Sequence, residues 1–204
     1  RFDVAHALLC KKGRQVLARH DALKLEWRTL CGHALGKANV FDAPTLKTCQ
    51  DVRAARARGS REPDPDLRGD VAAHNFWKAG CCAVFDFRVT DTDANLQRGM
   101  DPMSCLARHE REKKKQYLQH CTDRHRSFTP LVFLVNGLFS LECLAAVRRL
   151  SYLLAEKWNQ KYSAVCGYVR ARLQIALVCA RRRCLRAECL PIWRSHQPLW
   201  NNRD

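Results

Sequence analysis

The sequence predicts an α/β (α+β) domain: a small mixed sheet flanked by helices, with a pair of helices closing the chain. Apolar residues recur at helical spacing in residues 15–35, 141–158 and 163–184. Two short β-patterns are separated by Gly80, and a third strand, 128–135, follows after a charged helix. Such an order of elements is typical of a sheet covered by helices, and 204 residues suffice for one domain with its own core.

The first half of the chain contains one helix, one weak strand and one charged loop. The helix is predicted over residues 15–35, and residues 36–50 contain a single short strand near Val40. Residues 51–69 are charged and contain two prolines, which indicates an exposed loop, with 51–66 as its central part. The apolar residues that predict the helix are Val16, Leu17, Leu23, Trp27 and Leu30.

A hairpin of two strands follows, at about 68–76 and 82–89, with Gly80 in the turn. Because alternate residues of a strand share a face, the second strand has one fully apolar face and one that carries Asp86 and Arg88. We therefore expect Asp86 to project from the sheet beside Arg88 and not into the core. The apolar face consists of Ala83, Phe85, Phe87 and Val89.

The second half of the chain is predicted as a charged helix at 103–121, a buried strand at 128–135 that ends at Asn136-Gly137, and the two long helices. Residues 191–204 have no periodicity and are expected to form an irregular tail.

The net charge of +16, from 36 Lys and Arg against 20 Asp and Glu, favours a polyanionic partner, most often nucleic acid. A basic surface without a partner is the alternative. No run of about 18 apolar residues is present, so neither a membrane span nor a membrane partner is expected.

Twelve cysteines raise the question of disulfides. Their spacing does not form a short repeated framework, and six of them lie among apolar residues, where cysteine behaves as a small hydrophobic residue. We therefore expect reduced thiols and an intracellular protein, with the nucleus as its compartment if DNA is the partner. The six are Cys81, Cys82, Cys105, Cys143, Cys166 and Cys179.

Asp70 and Asp86 lie on the two strands of the predicted hairpin, which can bring them together. Converging carboxylates suit a divalent cation such as Mg²⁺, which polarises a phosphodiester and activates water. Lys113 and Tyr117, spaced i, i+4 on the next helix, can face the same phosphate. The alternatives are an Asp86–arginine pair on a solvated face and a charged helix that is simply solvated.

These residues resemble a known pattern. The segments RGDV, FDFRV and EKKKQY are similar to the PD-(D/E)XK motif of restriction-enzyme-like nucleases, more closely to the endonuclease region after the reverse transcriptase of some non-LTR retrotransposons. Shorter stretches such as HALLCKKG, FWKAG, LAEKW and YSAVCGYVRARL extend the resemblance over roughly residues 5–186.

The resemblance implies a restriction-endonuclease-like core and a Mg²⁺- or Mn²⁺-dependent enzyme that nicks target DNA, where the upstream reverse transcriptase then primes cDNA synthesis. Asp70 and Asp86 match the two metal-binding aspartates, and Arg88 occupies the place of the motif lysine. Lys113 matches the lysine that some members carry on the helix, with Tyr117 beside it.

The same resemblance divides the chain into a zinc-knuckle remnant (1–13), an endonuclease-like domain (14–190) and the tail. His6 and Cys10 match the last two ligands of a Cys-Cys-His-Cys knuckle. Two ligands do not close a tetrahedral site, so no stable zinc is expected here, and the pair can equally mark a helix end.

Four positions depart from the family pattern: Gly69 replaces its proline, Ala22 an acidic residue, Arg88 the lysine and Asn136 an aspartate. Glu26 lies one turn beyond Ala22 and is a possible substitute. Arginine stays protonated and cannot act as a base. These departures leave three functions open: an endonuclease, active or decayed; a nucleic-acid-binding module without catalysis; and a scaffold without selected activity. The basic residues proposed to contact nucleic acid are Lys114, Lys115, Arg170 and Arg172.

Overall fold

The computed structural model describes residues 15–46, 67–92 and 99–185. The zinc-remnant pair His6 and Cys10, the loop 51–66 and the tail 191–204 lie outside these ranges. The elements, in chain order, are helix α1 (Gln15–Leu35), a short 3-10 helix (Lys37–Asn39), strands β1 (Val40–Asp42), β2 (Val71–His74) and β3 (Cys82–Thr90), helix α2 (Pro102–Thr122), strand β4 (Arg126–Leu134), and helices α3 (Leu141–Trp158) and α4 (Tyr162–Leu185).

The four strands form one mixed sheet in the order β1-β2-β3-β4, so the predicted α/β class is confirmed. The first three strands are antiparallel, while β3 and β4 are parallel and α2 connects them. Helix boundaries fall within a residue or two of the predicted ones. β2 is shorter than predicted at both ends: it begins at Val71, and it ends at His74 because Asn75 adopts a left-handed conformation with φ of 63°.

Helix starts and ends follow local sequence signals. Asp101 accepts a hydrogen bond from the backbone N–H of Ser104 and caps α2, and Ser140 does the same for Cys143 at the start of α3. Asn159 ends α3 in a left-handed conformation. The Asn136-Gly137 turn after β4 lies where the sequence predicts it, with Gly137 at φ of 97°.

Helices cover both faces of the sheet. One face packs against α1, α3 and α4 around Trp27, Phe85 and Phe87. The other packs against α2, where Tyr117 and Phe128 stack with ring centroids 5.2 Å apart. The expectation that Asp86 projects from the sheet outside the core is therefore wrong in part: α2 covers that face, and Asp86 is only 4 % exposed.

None of the nine cysteines in the described ranges forms a disulfide. Cys105 and Cys143 are buried, as the sequence predicts, whereas Cys179 is exposed. Its sequence neighbours are apolar, but its position on α4 places it on the outer side of the helix.

In the described part of the chain one helix, α4, is long and apolar enough to cross a membrane by length and composition alone, which the search for a run of apolar residues did not predict. Within the domain, a stripe of α4 at i, i+4 spacing packs into the core beside α1 and α3. That stripe consists of Val165, Val169, Leu173 and Leu177.

Candidate active site

Asp70 and Asp86 are neighbours across the β2–β3 pairing. Val71 pairs with Phe85 in an antiparallel register. Asp70 precedes Val71 and Asp86 follows Phe85, so the two aspartates lie opposite each other. The backbone N–H of Asp70 donates to the carbonyl of Phe85 at 2.9 Å, which continues the pairing to this position. The hairpin therefore brings the two predicted aspartates together.

The Asp70 carboxylate is held from two directions through a single oxygen. Its Oδ2 accepts a hydrogen bond from the backbone N–H of Phe87 at 2.7 Å and lies 2.9 Å from Nε2 of His20 on α1. Burial alone raises the pKa of Asp70, but the hydrogen bond and charge of His20, the Phe87 N–H and the charge of Lys24 outweigh it, and the pKa is lowered. Asp70 is thus kept as a carboxylate.

Asp86 lies in a different environment on β3. Its side chain is 5 % exposed and forms an ion pair with Lys113 of α2. Burial raises the pKa of Asp86, and the negative charge of Asp70 raises it further. The charge of Lys113 and a hydrogen bond from Tyr117 lower it, but the net effect is a raised pKa. The predicted alternative, in which Asp86 pairs with an arginine on a solvated face, is therefore wrong.

Lys113 and Tyr117 reach Asp86 because they lie on the sheet-facing side of an otherwise charged helix. His109, Lys113, Tyr117 and Cys121 follow one another at four-residue spacing, and all but Lys113 are buried. The ammonium of Lys113 also lies 5.4 Å from the centre of the Tyr117 ring. The alternative of a simply solvated helix does not hold for this face.

Arg88, in contrast, is paired with another residue of α2 and not with Asp86. Its guanidinium donates to Glu112 of α2 at 2.9 Å, and Glu112 also lies 2.9 Å from Nδ1 of the buried His109. Arg88 and His109 therefore belong to a network in the middle of α2, one residue from Lys113, that ties this helix to β3.

Several predicted nucleic-acid contacts are engaged within the chain. Lys114 forms an ion pair with Glu142, and Arg172 pairs with Glu26 at 2.7 Å and with the Tyr168 hydroxyl at 2.7 Å. Glu26 is therefore bound to α4 and does not take the place of Ala22 at the aspartates. Lys115 and Arg170 are exposed on the outer faces of α2 and α4.

Sequence reasoning missed His20. The imidazole is 24 % exposed, contacts the Phe87 ring edge-on at 6.1 Å and bridges Asp70 to Asp21, 3.1 Å from Nδ1. Burial lowers its pKa, but Asp70 and then Asp21 outweigh burial and the pKa is raised. A signal existed: His20 precedes the buried Leu23 and Trp27 by three and seven residues, which places a polar ring on the core face of α1.

The two aspartates suit the hard oxygen ligands of Mg²⁺ or Mn²⁺, which need only one or two carboxylates besides water and phosphate. The contacts to His20 and Phe87 both use Oδ2 of Asp70. Among the described residues no group of three or more His, Cys, Asp or Glu side chains is arranged to hold a metal. The fit thus rests on two carboxylates only.

No protein-family model matches this chain, and no curated protein matches it significantly in sequence.

The His20–Asp70 pair predicts a pH window for stability. His20 has a folded pKa raised above 6.5, so its contribution is complete below that pH and is lost as pH rises through the raised value. Asp70 has a folded pKa lowered below 3.8, so its contribution is present above that pH and is lost as pH falls through the lowered value. The pair therefore stabilises most between pH 3.8 and 6.5.

We expect a double-mutant cycle of His20→Gln and Asp70→Asn, followed by urea unfolding, to give a coupling free energy of about 1 kcal/mol near pH 5. The same cycle near pH 9 should give close to none. Equal coupling at both pH values would show that the contact does not depend on the imidazolium.

Removing the Lys113 charge should impair any reaction that depends on an ionised Asp86. In Lys113→Met, the pKa of Asp86 rises further, because the opposing positive charge is gone. We expect the rate of any such reaction to fall by about 10- to 100-fold and its pH profile to shift upward. Lys115→Met, an exposed neighbour on the same helix, is the matched control; an equal loss there would assign the effect to general basicity.

Proposed function

We propose that the chain is a metal-dependent DNA endonuclease domain of a retroelement polyprotein, with the restriction-endonuclease-like core that its motifs resemble. The observation that carries the proposal is the meeting of Asp70 and Asp86 on paired strands, with Lys113 and Tyr117 of the following helix at Asp86. Of the five residues that the resemblance assigns to the site, three are neighbours of Asp86, namely Asp70, Lys113 and Tyr117. The fifth, Arg88, pairs with Glu112 instead.

In this proposal Asp70 and Asp86 hold Mg²⁺ or Mn²⁺, which, when bound, polarises the phosphodiester and activates water. His20 and the Phe87 N–H fix the orientation of the Asp70 carboxylate. Lys113 neutralises charge on the phosphate, and Tyr117 orients Asp86. Arg88 supports α2 through Glu112 and has no contact with the reacting groups.

The proposal carries further expectations about setting. The partner is DNA, with the element RNA as a second nucleic acid, and the net charge of +16 suits both. The protein works in the nucleus, next to an upstream reverse transcriptase domain of the same polypeptide.

The test is incubation of the purified protein with supercoiled plasmid in Mg²⁺, in Mn²⁺ and in EDTA. We expect conversion to the nicked circle with either metal and none in EDTA. Absence of nicking with both metals, from a protein shown to be folded by circular dichroism, would contradict the proposal.

A second candidate is a nucleic-acid-binding module without catalysis. It is favoured by Arg88, which stands in the place of the motif lysine and pairs with Glu112 of α2. This module would shift plasmid or oligonucleotide DNA in a gel without cutting it, and its affinity would fall steeply with salt.

A further inference from the structure

A second concave site lies on the α2 side of the sheet, on the part that α2 does not cover. The cavity has a volume of about 340 Å³. It is lined by residues of β1 and β2, by Pro44 and Thr45 after β1, and by Cys82 and Arg126 at the starts of β3 and β4. Cys82 packs against the cluster that contains Cys121 in the last turn of α2, so the cavity begins where α2 ends.

Two aromatic rings form a corner of this cavity. Phe41 is 47 % exposed on the short strand β1, and its ring meets that of His74 edge-on at 5.5 Å and 88°. The Phe41 ring is not needed for the core, because none of the three core clusters in the described part of the chain includes it. The corner offers one ring face and one polar ring edge to a flat ligand.

Positive charge borders the same cavity. Arg126 lines it and donates to the carbonyl of Thr45 at 3.3 Å, which holds the guanidinium at the rim. Aromatic rings next to an arginine form the usual platform for bases of single-stranded nucleic acid, where the ring stacks on the base and the cation attracts the phosphate. The lining is mostly apolar with a few polar groups, as in sites that bind flat ligands.

We propose that this cavity binds one unpaired nucleobase of single-stranded DNA, stacked on Phe41 against His74, with its phosphate at Arg126. His74 lies four residues along the sheet from Asp70, roughly 13 Å at strand spacing. This step rests on the proposed function, which places a phosphate at Asp70. Stacked bases are about 3.4 Å apart and a stretched strand spans more per nucleotide, so the bound base lies about two to four nucleotides from that phosphate. The site therefore selects DNA whose strands are separated next to the cut.

The experiment measures binding in EDTA, where no cutting takes place, by fluorescence anisotropy with a single-stranded oligonucleotide, a duplex and an abasic single strand of the same length. We expect Phe41→Leu to weaken binding to the single strand about ten-fold and to leave duplex and abasic binding unchanged. Tyr152→Leu is the matched control, since Tyr152 is 50 % exposed on α3 with Arg149 5.7 Å from its ring. Its substitution should leave all three affinities unchanged.

An unchanged affinity in Phe41→Leu, or an equal loss on single-stranded, duplex and abasic DNA, overturns the proposal. Phe41→Trp tests whether a loss in Phe41→Leu comes from a folding defect, because it keeps the stacking surface. This variant should bind the single strand at least as well as the parent. Binding of that strand should quench the fluorescence of the new Trp side chain. Lack of quenching also overturns it.

The plasmid assay separates the two proposals. Nicking without a Phe41-dependent preference for the single strand would contradict the base site and leave the endonuclease proposal standing. A Phe41-dependent preference without nicking would contradict the endonuclease proposal and support the base site.

Discussion

Asp86→Asn should abolish metal-dependent nicking, with a loss of more than about 100-fold, and leave DNA binding in EDTA nearly unchanged. The substitution replaces a buried carboxylate that faces both Lys113 and Asp70 with a neutral amide of the same shape. An amide attracts a divalent cation far less than a carboxylate does. We expect the variant to fold, because burial already disfavours the charge of Asp86.

The matched control is Asp42→Asn in the same sheet. Asp42 is the last residue of β1, half-exposed, and pairs with Arg28 of α1 at 3.2 Å. It should nick plasmid at the parent rate. Quantified gel bands over time, with thermal unfolding of both variants, measure the effect. Equal nicking by Asp86→Asn and the parent would remove the metal from this site and leave the non-catalytic module as the better candidate.

Most of the architecture follows from short-range patterns. Apolar spacing predicts α1, α3 and α4, and the alternation in β3 predicts the face that contains Phe85 and Phe87. Asn136-Gly137 predicts the turn after β4. Each of these signals lies within one element, so the sequence alone contains it.

The rest depends on contacts between distant elements. Asp86 is buried because a helix covers its face of the sheet. The charged sequence of α2 conceals this role, because the side of α2 that faces the sheet includes Lys113 and the buried Glu110. The His20–Asp70 contact joins residues fifty positions apart, and its existence depends on how far α1 is rotated over the sheet. Periodicity predicts a face but gives no rotation or depth.

Gly69 shows why a family motif does not transfer residue by residue. The resemblance places a proline before the first aspartate, yet here the position is buried and its backbone N–H donates to the carbonyl of Pro44 at 3.0 Å. A Cβ at Gly69 would lie 2.5 Å from Cγ1 of Val84, which is fully buried. The glycine therefore lets the chain pass close to β3 and delivers Asp70 to its place opposite Asp86.

Restoring the family residue should consequently damage this protein. We expect Gly69→Pro to reduce the free energy of unfolding by about 2–4 kcal/mol, since it removes one backbone hydrogen bond and forces an overlap in a packed region. Gly69→Ala keeps the hydrogen bond and retains the overlap, so about 1–3 kcal/mol is expected. Urea unfolding at constant pH measures both values.

Gly167→Ala is the matched control, because a Cβ at Gly167 on α4 meets nothing within 4 Å. There the substitution should stabilise the protein by about 0.5–1 kcal/mol, through the better helix propensity of alanine. A second check is the double variant Gly69→Ala, Val84→Ala. Its loss of unfolding free energy should be smaller than the sum of the losses in the two single variants, because Val84→Ala removes the Cγ1 atom that the new Cβ would overlap. Full additivity would mean that Gly69 is required for a reason other than its approach to Val84, and the account of how Asp70 is positioned would have to be replaced.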